Sequence, residues 1–356
     1  SDRGQSVQQT NDGGFIVTGQ TYAKDKNGDV WLLKTDPKGG EEWSRSFGGE
    51  GTDHGYSVQQ TLDGGYIIAG VTEAYQEKWS DVWVIKTDEY GNQQWNRTFG
   101  GFKWDKAHAI QQTRDEGYII LGYTFSFGNG DADIWLIKTD SNGDREWNKT
   151  FGGANWDYGY SVHQTDDGGY VLTGYTESFG RDWSDIWLIK TDSLGNEEWS
   201  QTFGNREYDY GHSVRQTSDG GYITVGVTRA FYPGFEDVWL IKTDSEGREE
   251  WNRTFGGRSW DKCYSVAETE DGGFVMSGST RLMEDGGSDV WLIKTDAQGN
   301  SQWKRLFDGS ENDDVFSVQQ TADGGYVMAG LSEPRDGEAS DLLLIKTDPD
   351  GKVSPR

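Results

Sequence analysis

The chain has 356 residues, of which 33% are hydrophobic and 14% aromatic, and its formal net charge is −27. This aromatic content excludes an intrinsically disordered chain, which lacks the side chains needed to build a core. The negative charge predicts no unaided binding to nucleic acid. No run of 18 apolar residues occurs, so the sequence predicts no transmembrane helix and no direct membrane insertion.

The sequence is a sevenfold repeat. The tetrapeptide Ile-Lys-Thr-Asp, or a near copy, recurs at a constant interval of 52 residues. The copies end at Asp36, Asp88, Asp140, Asp192, Asp244, Asp296 and Asp348. Internal periods of about 20–50 residues are typical of solenoids, propellers and repeat arrays.

Each copy predicts four short strands joined by turns, with no competing helical period. The second copy predicts strands at SVQQT (57–61), YIIAGVT (66–72), DVWVIKTD (81–88) and QQWNRTFGG (93–101). An Asp-Gly turn joins the first two strands, and the loop before the third strand is longer. Four-stranded units repeated in this way favour a β-propeller, whose blades surround a channel. A β-solenoid is the alternative, although its coils are usually shorter.

The sequence therefore predicts an all-β, seven-bladed β-propeller with four antiparallel strands per blade. Residues 1–356 form one domain, with blades at approximately 1–49, 50–101, 102–153, 154–205, 206–257, 258–309 and 310–356. A tryptophan marks the fourth strand at Trp43, Trp95, Trp147, Trp199, Trp251 and Trp303. The seventh equivalent position is Pro355, so blade seven either has three strands plus a stub at Lys352–Val353 or takes its fourth strand from outside this fragment. In either case, its junction with the first blade is predicted to be the weakest.

The segments TDEYGNQQW (87–95) and TDSLGNEEW (191–199) resemble the tryptophan-docking repeat of quinoprotein propellers. The whole unit more closely resembles the highly repetitive propellers of archaeal and bacterial surface proteins, with their DGGY…DxWLIKTDxxGNxxW pattern. This resemblance covers essentially the full chain. It implies the propeller fold and an extracellular or cell-surface location. The cofactor residues of the quinone enzymes find no match, so quinone chemistry is not expected.

Aspartates occupy four fixed positions in each repeat: before the first strand, in the Gly-Gly turn, and at both ends of the third strand. Most are expected to accept backbone N–H groups in turns. Two loops also have the spacing of oxygen ligands for calcium, although neither has the complete twelve-residue calcium loop. Their residues are Asp25, Asn27 and Asp29, and Asn129, Asp131 and Asp133. Calcium is the only cofactor that the sequence suggests.

Twelve of the 17 tryptophans recur in third or fourth strands and are assigned to packing between blades. The other five lie in the longer loops, which emerge on one face of the ring. The residue before the first-strand aspartate is aromatic in blades three to six. The predicted ligand-binding residues are Trp79, Trp104, Trp156, Tyr158, Trp183, Tyr208 and Trp260. The alternative is that each ring only fills a gap between blade tops.

No metal-ligand spacing links the four histidines, and neither Cys263 nor any serine lies in a nucleophile motif. We therefore expect a non-catalytic recognition module of a secreted or cell-surface protein. It would bind carbohydrate or a protein partner through the aromatic, acidic long-loop face. The alternatives are a structural or self-associating module of a surface layer or fibre, and a polysaccharide-acting enzyme. Three Asn-x-Thr sequons, at Asn96, Asn148 and Asn252, are candidate glycosylation sites if the protein is exported.

Overall fold

A computed structural model describes residues 1–22, 27–73, 79–181, 183–229, 235–281, 287–307, 312–334 and 339–353. Their regular structure consists of 27 β-strands in seven antiparallel sheets, six with four strands and one with three. In the parts of the chain so described, no helix is long and apolar enough to cross a membrane.

The strands follow chain order within every sheet. Blade 1 contains β1 (Asp2–Gln9), β2 (Phe15–Thr21), β3 (Asp29–Thr35) and β4 (Glu41–Phe47). Blade 2 contains β5 (Asp53–Gln60), β6 (Tyr66–Glu73), β7 (Ser80–Thr87) and β8 (Gln93–Phe99). Blade 3 contains β9 (Asp105–Gln112), β10 (Tyr118–Thr124), β11 (Asp133–Thr139) and β12 (Arg145–Phe151). Blade 4 contains β13 (Asp157–Gln164), β14 (Tyr170–Thr176), β15 (Asp185–Thr191) and β16 (Glu197–Phe203).

Blade 5 contains β17 (Asp209–Gln216), β18 (Tyr222–Thr228), β19 (Asp237–Thr243) and β20 (Glu249–Phe255). Blade 6 contains β21 (Trp260–Glu268), β22 (Phe274–Arg281), β23 (Asp289–Thr295) and β24 (Ser301–Phe307). Blade 7 contains β25 (Asn312–Gln320), β26 (Tyr326–Glu333) and β27 (Asp341–Thr347). The first strands of successive blades contact one another, and β25 contacts β1, so the first strands line a closed ring around the channel. The seven-bladed propeller is confirmed, and its last blade has three strands within the described residues.

The first strand of blade 2 is longer than the sequence predicted, because it begins at Asp53 and not at Ser57. In blade 2, Asp53 pairs with Thr72, and the register shifts between Gly55 and Ser57. Tyr56 is therefore the extra residue of a β-bulge, a feature that bends a strand and redirects a side chain. The prediction missed these residues because Gly55 and the polar residues before it weaken the strand pattern.

Fourth-strand tryptophans pack each blade against the next, as the repeat predicted. The ring centroid of Trp199 in β16 lies 5.6 Å from that of Tyr222 in β18. The same indole covers Gly247, whose φ of +76° is readily adopted only by glycine and whose added Cβ would collide with the ring. The third-strand tryptophans are held in turn by the fourth strand: Trp135 Nε1 donates a hydrogen bond to Asn148 Oδ1 at 3.0 Å.

A lysine, buried in blades 1 to 6, ties the third strand of each blade to the Gly-Gly turn. In blade 4, Lys190 Nζ lies 2.8 Å from Asp167 Oδ2 and 2.8 Å from Glu198 Oε2, and it donates to Thr191 O at 2.9 Å. Asp167 Oδ1 also accepts the Gly169 N–H at 2.9 Å. These hydrogen bonds lower the pKa of Asp167 to about 2, against the opposing effect of burial. The turn aspartates therefore have the scaffold role that the sequence predicted.

Candidate functional site

The predicted ligand-binding residues lie on one end of the ring, which we call the long-loop face. There Asp53 at the start of β5, Thr72 in β6 and Asp81 in β7 lie side by side. The loops between second and third strands and between blades emerge at this end, and the tight turns emerge at the other end, the tight-turn face. The tryptophans are substantially exposed: Trp79 39%, Trp104 48%, Trp156 45%, Trp183 57% and Trp260 38%.

Rings from blades 2 and 3 form one half of an aromatic network. Trp79 and Trp104 meet edge to face with centroids 5.2 Å apart. Trp104 contacts Phe125 at 5.9 Å, and Phe125 contacts Tyr158 of β13 at 6.4 Å. Trp156 lies 6.3 Å from Tyr158. Edge-to-face contacts of this kind hold rings in defined orientations.

Rings from blades 4 to 6 form the other half. Trp183 lies 5.2 Å from Tyr208. The guanidinium of Arg229 lies 5.1 Å from the centroid of Tyr208 and 5.6 Å from that of Trp260, so that one cation bridges two aromatic faces. Arg229 is itself held by Glu236, whose Oε1 lies 2.6 Å from Arg229 Nη2.

Three tyrosines join the two halves across the channel mouth. Tyr158 stacks on Tyr175 at 5.1 Å, Tyr175 contacts Tyr210 at 4.8 Å, and Tyr210 stacks on Tyr208 at 6.2 Å. All seven predicted residues therefore belong to one continuous set of contacts. We call this set the mouth network: Trp79, Trp104, Phe125, Trp156, Tyr158, Tyr175, Trp183, Tyr208, Tyr210, Arg229 and Trp260. The sequence did not single out Tyr175, because it occupies an ordinary second-strand position.

Below the mouth network the bulge residues of the first strands narrow the channel to an aromatic girdle. Its members are Tyr56, His108, Tyr160, His212, Tyr264 and Phe316, with neighbouring ring centroids 5.0–5.5 Å apart. Burial lowers the pKa of His212 to about 4, and it also lowers the pKa of His108. Both histidines are therefore neutral near pH 7. The girdle divides the channel into a long-loop half and a tight-turn half.

A cavity of about 420 Å³ opens on the long-loop face between blades 6 and 7. Trp260 and Tyr264 provide aromatic walls, and its polar lining comes from Lys262, Arg281, Ser288, Asn312, Asp314 and Glu333. Lys262 Nζ lies 3.6 Å from Glu236 Oε2. The charged residues that line this cavity were not predicted from the sequence. One signal for them was available: the residue after the first-strand aspartate varies between blades. Lys262 and Asp314 both occupy this position.

The predicted calcium ligands do not converge within the described residues. Asp25 lies outside them, Asn27 Nδ2 donates to Glu50 O at 2.7 Å, and Asp131 is exposed. Asp133 is buried, and its Oδ2 accepts the Asn129 N–H at 2.6 Å. The described part of the chain contains no group of three or more His, Cys, Asp or Glu side chains placed to hold a metal ion. Calcium binding at these loops stays a prediction.

Asp133 instead forms part of a carboxylate pair at the junction of blades 3 and 4. It and Asp157 of β13 flank Gly152, where an added Cβ would collide with Asp133 and approach Asp157. Burial raises the pKa of Asp133 to about 6, and the neighbouring Asp157 carboxylate adds to the effect. Asp29 of β3, the third residue of the other predicted loop, and Asp53 flank Gly48 in the same way.

Comparisons with known proteins support the fold. No protein-family model matches the chain. Over 201 residues it is 25% identical to the regulatory protein FlaEY of Caulobacter vibrioides, covering 49% of this chain and 21% of that protein. The matched part is thus only about a fifth of that relative's length.

Two solved structures share the architecture at low sequence identity. Sqt1 of Chaetomium thermophilum, solved bound to the N-terminus of ribosomal protein L10, is 12% identical with a TM-score of 0.54, covering 97% of both chains. The β-propeller domain of the Trilobed protease from Pyrococcus furiosus, described as having an open velcro topology, is 12% identical with a TM-score of 0.51. That match covers 94% of this chain and 91% of the other. At such identity these likenesses concern the fold alone.

Proposed function

We propose that this protein is a non-catalytic recognition module that binds a protein partner through the mouth network. The observation that carries the proposal is the continuity of the network on one face, with five tryptophans at least 38% exposed. Clustered aromatic side chains are enriched at binding hot spots because each buries a large area with few rotatable bonds. A rigid ring of blades also holds them in place before a ligand arrives.

The cavity beside Trp260 favours a polypeptide as the ligand. It combines an aromatic wall with side chains of both charge signs, Lys262 and Arg281 opposite Asp314 and Glu333. A peptide offers apolar groups and both charges within a few residues, whereas a neutral sugar offers no partner for the charges. Sqt1 bound to the N-terminus of L10 provides a precedent for a peptide on this fold.

Carbohydrate is the second candidate ligand. Exposed indole faces such as those of Trp156 and Trp183 suit the apolar face of a sugar ring, and the long-loop carboxylates suit its hydroxyls. The proposed setting is a secreted or cell-surface protein. It rests on the resemblance of the repeat to surface-protein propellers.

The absence of catalysis is part of the proposal. Cys263 is buried, its Sγ donates to Ser277 O at 3.1 Å, and burial raises the pKa of its thiol to about 12, which disfavours a nucleophilic thiolate. Burial likewise lowers the pKa of His54 to about 3. Such a histidine binds a proton too weakly to serve as a general acid near neutral pH.

The test compares Trp156→Ala and Trp260→Ala with Tyr90→Ala, a control that removes a more exposed ring from the tight-turn face. Tyr90 is 61% exposed. Peptides selected from a random display library on the native protein, and a glycan array, serve as probes. We expect both tryptophan variants to lose peptide binding by about tenfold or more while the control binds normally.

Four results would contradict the proposal. Equal binding by all variants would overturn it, as would loss of binding that only follows a large drop in melting temperature. Binding of glycans with no selected peptide would favour the second candidate. Ordered self-association without either ligand would favour a structural module.

A further inference from the structure

The tight-turn half of the channel contains a cavity that the mouth network does not reach. Its volume is about 270 Å³, and it lies on the far side of the aromatic girdle. Apart from Arg215 and His163, the side chains that line it are neutral residues such as Ser57, Gln111 and Gln319. The chain has a net charge of −27, yet the described lining of this cavity contains no carboxylate.

Four blade junctions around this cavity are closed by the same hydrogen bond. A glutamine near the end of each first strand accepts the backbone N–H of the next blade. The four bonds are Gln60 N to Gln8 Oε1 at 2.6 Å, Gln112 N to Gln59 Oε1 at 2.6 Å, Gln164 N to Gln111 Oε1 at 2.8 Å and Gln9 N to Gln319 Oε1 at 2.7 Å. In four of the seven blades, therefore, the side chain at this position accepts a backbone hydrogen bond from the next blade, and we call this the rule of the repeat.

The rule fails in three consecutive blades, where the equivalent residues are His163, Arg215 and Ala267. Thr269 N donates to Gly273 O at 2.9 Å. Antiparallel hydrogen-bonded pairs alternate along a strand, so the Glu268 N–H points away from β22 and toward blade 5. The residue at the position of the accepting glutamine in blade 5 is Arg215, whose guanidinium can only donate. Among the residues that the structure describes, no side chain accepts this N–H.

Arg215 also lacks a counter-ion. Its Nη1 donates to Val214 O at 2.8 Å and makes a 3.4 Å contact with Ser161 Oγ. No carboxylate of the described residues lies within ion-pair distance of it. Glu268, in the next blade, uses both carboxylate oxygens on Ser218, at 2.9 Å to the N–H and 2.7 Å to the hydroxyl.

The surroundings favour an added negative charge. Burial lowers the pKa of Arg215, which means that its charge is poorly solvated. Burial and, to a smaller extent, the positive charges of Arg215 and Arg114 lower the pKa of His163 to about 3. A partly buried guanidinium without a counter-ion is unfavourable, and a bound anion would relieve this cost. A guanidinium also offers paired donors that match two oxygens of one oxyanion.

We propose that this cavity binds a small oxyanion, a carboxylate or phosphate group, held by the Arg215 guanidinium and the His163 imidazole. The site is separate from the mouth network and does not depend on the proposed function. The protein's overall negative charge opposes the approach of anions, so the site selects small ligands that can be enclosed by these donors.

The decisive variant is Arg215→Gln, which inserts the residue found at this position in four other blades. The introduced glutamine would restore an acceptor for the Glu268 N–H, so the variant should fold and melt at least as high as the native protein. Calorimetric titrations at pH 7 use sodium phosphate and sodium acetate, with sodium chloride keeping the ionic strength constant. We expect one or both anions to bind the native protein and Kd to rise about tenfold or more in Arg215→Gln.

Two further measurements locate the site and separate the ligand sources. The His163 ring resonances should shift on addition of the anion, while those of His54, on the other side of the girdle, should not. Preference for acetate indicates a carboxylate ligand, and preference for phosphate indicates a phosphate ligand. Failure of both anions to bind the native protein, or an unchanged Kd in Arg215→Gln, would overturn the proposal.

Discussion

The 7–1 and 4–5 blade junctions are built from the same repeat. They differ in their outer layer, which is the packing of the fourth-strand tryptophan on the next blade. At the 4–5 junction, Trp199 packs 5.6 Å from Tyr222 and covers Gly247. At the 7–1 junction, Gly39 occupies the place of Gly247, and an added Cβ there would find only Leu344 Cδ2 within 4 Å, at 4.0 Å. The described residues supply no tryptophan at this junction.

The inner layer, by contrast, is continuous around the ring. At the 7–1 junction Gln9 N donates to Gln319 Oε1 at 2.7 Å and Ala322 N donates to Gln9 Oε1 at 2.8 Å. Asp2 N donates to Ser340 O at 2.8 Å. Within the described residues, first strands therefore close this propeller, and fourth strands reinforce its other six junctions. No described strand from the N-terminal end completes blade 7.

The largest expected effect on stability comes from removing a fourth-strand tryptophan at a junction that has one. Trp199→Ala should lower the free energy of unfolding by about 3 kcal/mol, because it deletes a large packed ring and leaves a cavity. Leu344→Ala at the 7–1 junction should cost about 1 kcal/mol, because this side chain is only partly buried there. Chemical denaturation of both variants measures the difference. Equal losses would mean that the two junctions are equally strong.

Adding a fourth strand with its tryptophan to blade 7 should strengthen the 7–1 junction. The turn that precedes a fourth strand is already formed in blade 7, where Asp348 N donates to Lys352 O at 2.8 Å. Replacing residues 353–356 by the blade 2 sequence QQWNRTF should place a tryptophan over Gly39. We expect a gain of about 2 kcal/mol, seen as a higher melting temperature. The same extension with alanine in place of the tryptophan is the control and should gain much less.

The buried lysines provide a third comparison. Lys190 has a side chain 3% exposed and two carboxylate partners, whereas Lys346 in blade 7 is 29% exposed and has one, Asp323. Lys190→Ala should lower the free energy of unfolding by about 2 kcal/mol, because it leaves the Thr191 carbonyl and two carboxylates without their donor. Lys346→Ala should cost less than about 1 kcal/mol, because water reaches the site. Denaturation midpoints of the two variants test this order.

The smallest effect concerns the carboxylates between blades, and it depends on pH. The folded protein holds the Asp133 proton up to about pH 6, whereas an unfolded aspartate releases it at about pH 4. The stability contributed by this group is therefore fully present below about pH 4 and is lost as the pH rises through about 6. Asp133→Asn should raise the unfolding free energy at pH 8 by about 1 kcal/mol and reduce its decline between pH 4 and 7.

Asp341 of β27 is the matched control for that experiment, because it occupies the same repeat position and is exposed. Asp341→Asn should change stability by less than about 0.5 kcal/mol at any of these pH values. Stability curves measured from pH 4 to pH 8 compare the two variants. A parallel decline in Asp133→Asn and the native protein would show that this carboxyl does not titrate with folding.

Much of the candidate site was accessible from the sequence, because seven aligned copies distinguish constant residues from variable ones. Trp156 and Trp260 stand out as aromatic residues at a position that holds Thr52 in blade 2. The link through Tyr175 was not accessible, since that residue occupies a regular second-strand position and only the ring geometry brings it against Tyr210. The isolation of Arg215 was also not accessible, because the sequence does not show which donors face the channel.

By itself the sequence determined the number of blades, the order of strands and turns, and the missing seventh tryptophan. These features follow from local chemistry repeated at a constant interval: β-forming segments, Asp-Gly turns and one docking tryptophan per unit. The tertiary structure alone decided where first strands bulge, that the exposed rings form one network, and that Arg215 has no carboxylate partner among the described residues. Those outcomes depend on contacts between blades, which are set by the curvature of the closed ring and not by the spacing of residues within one repeat.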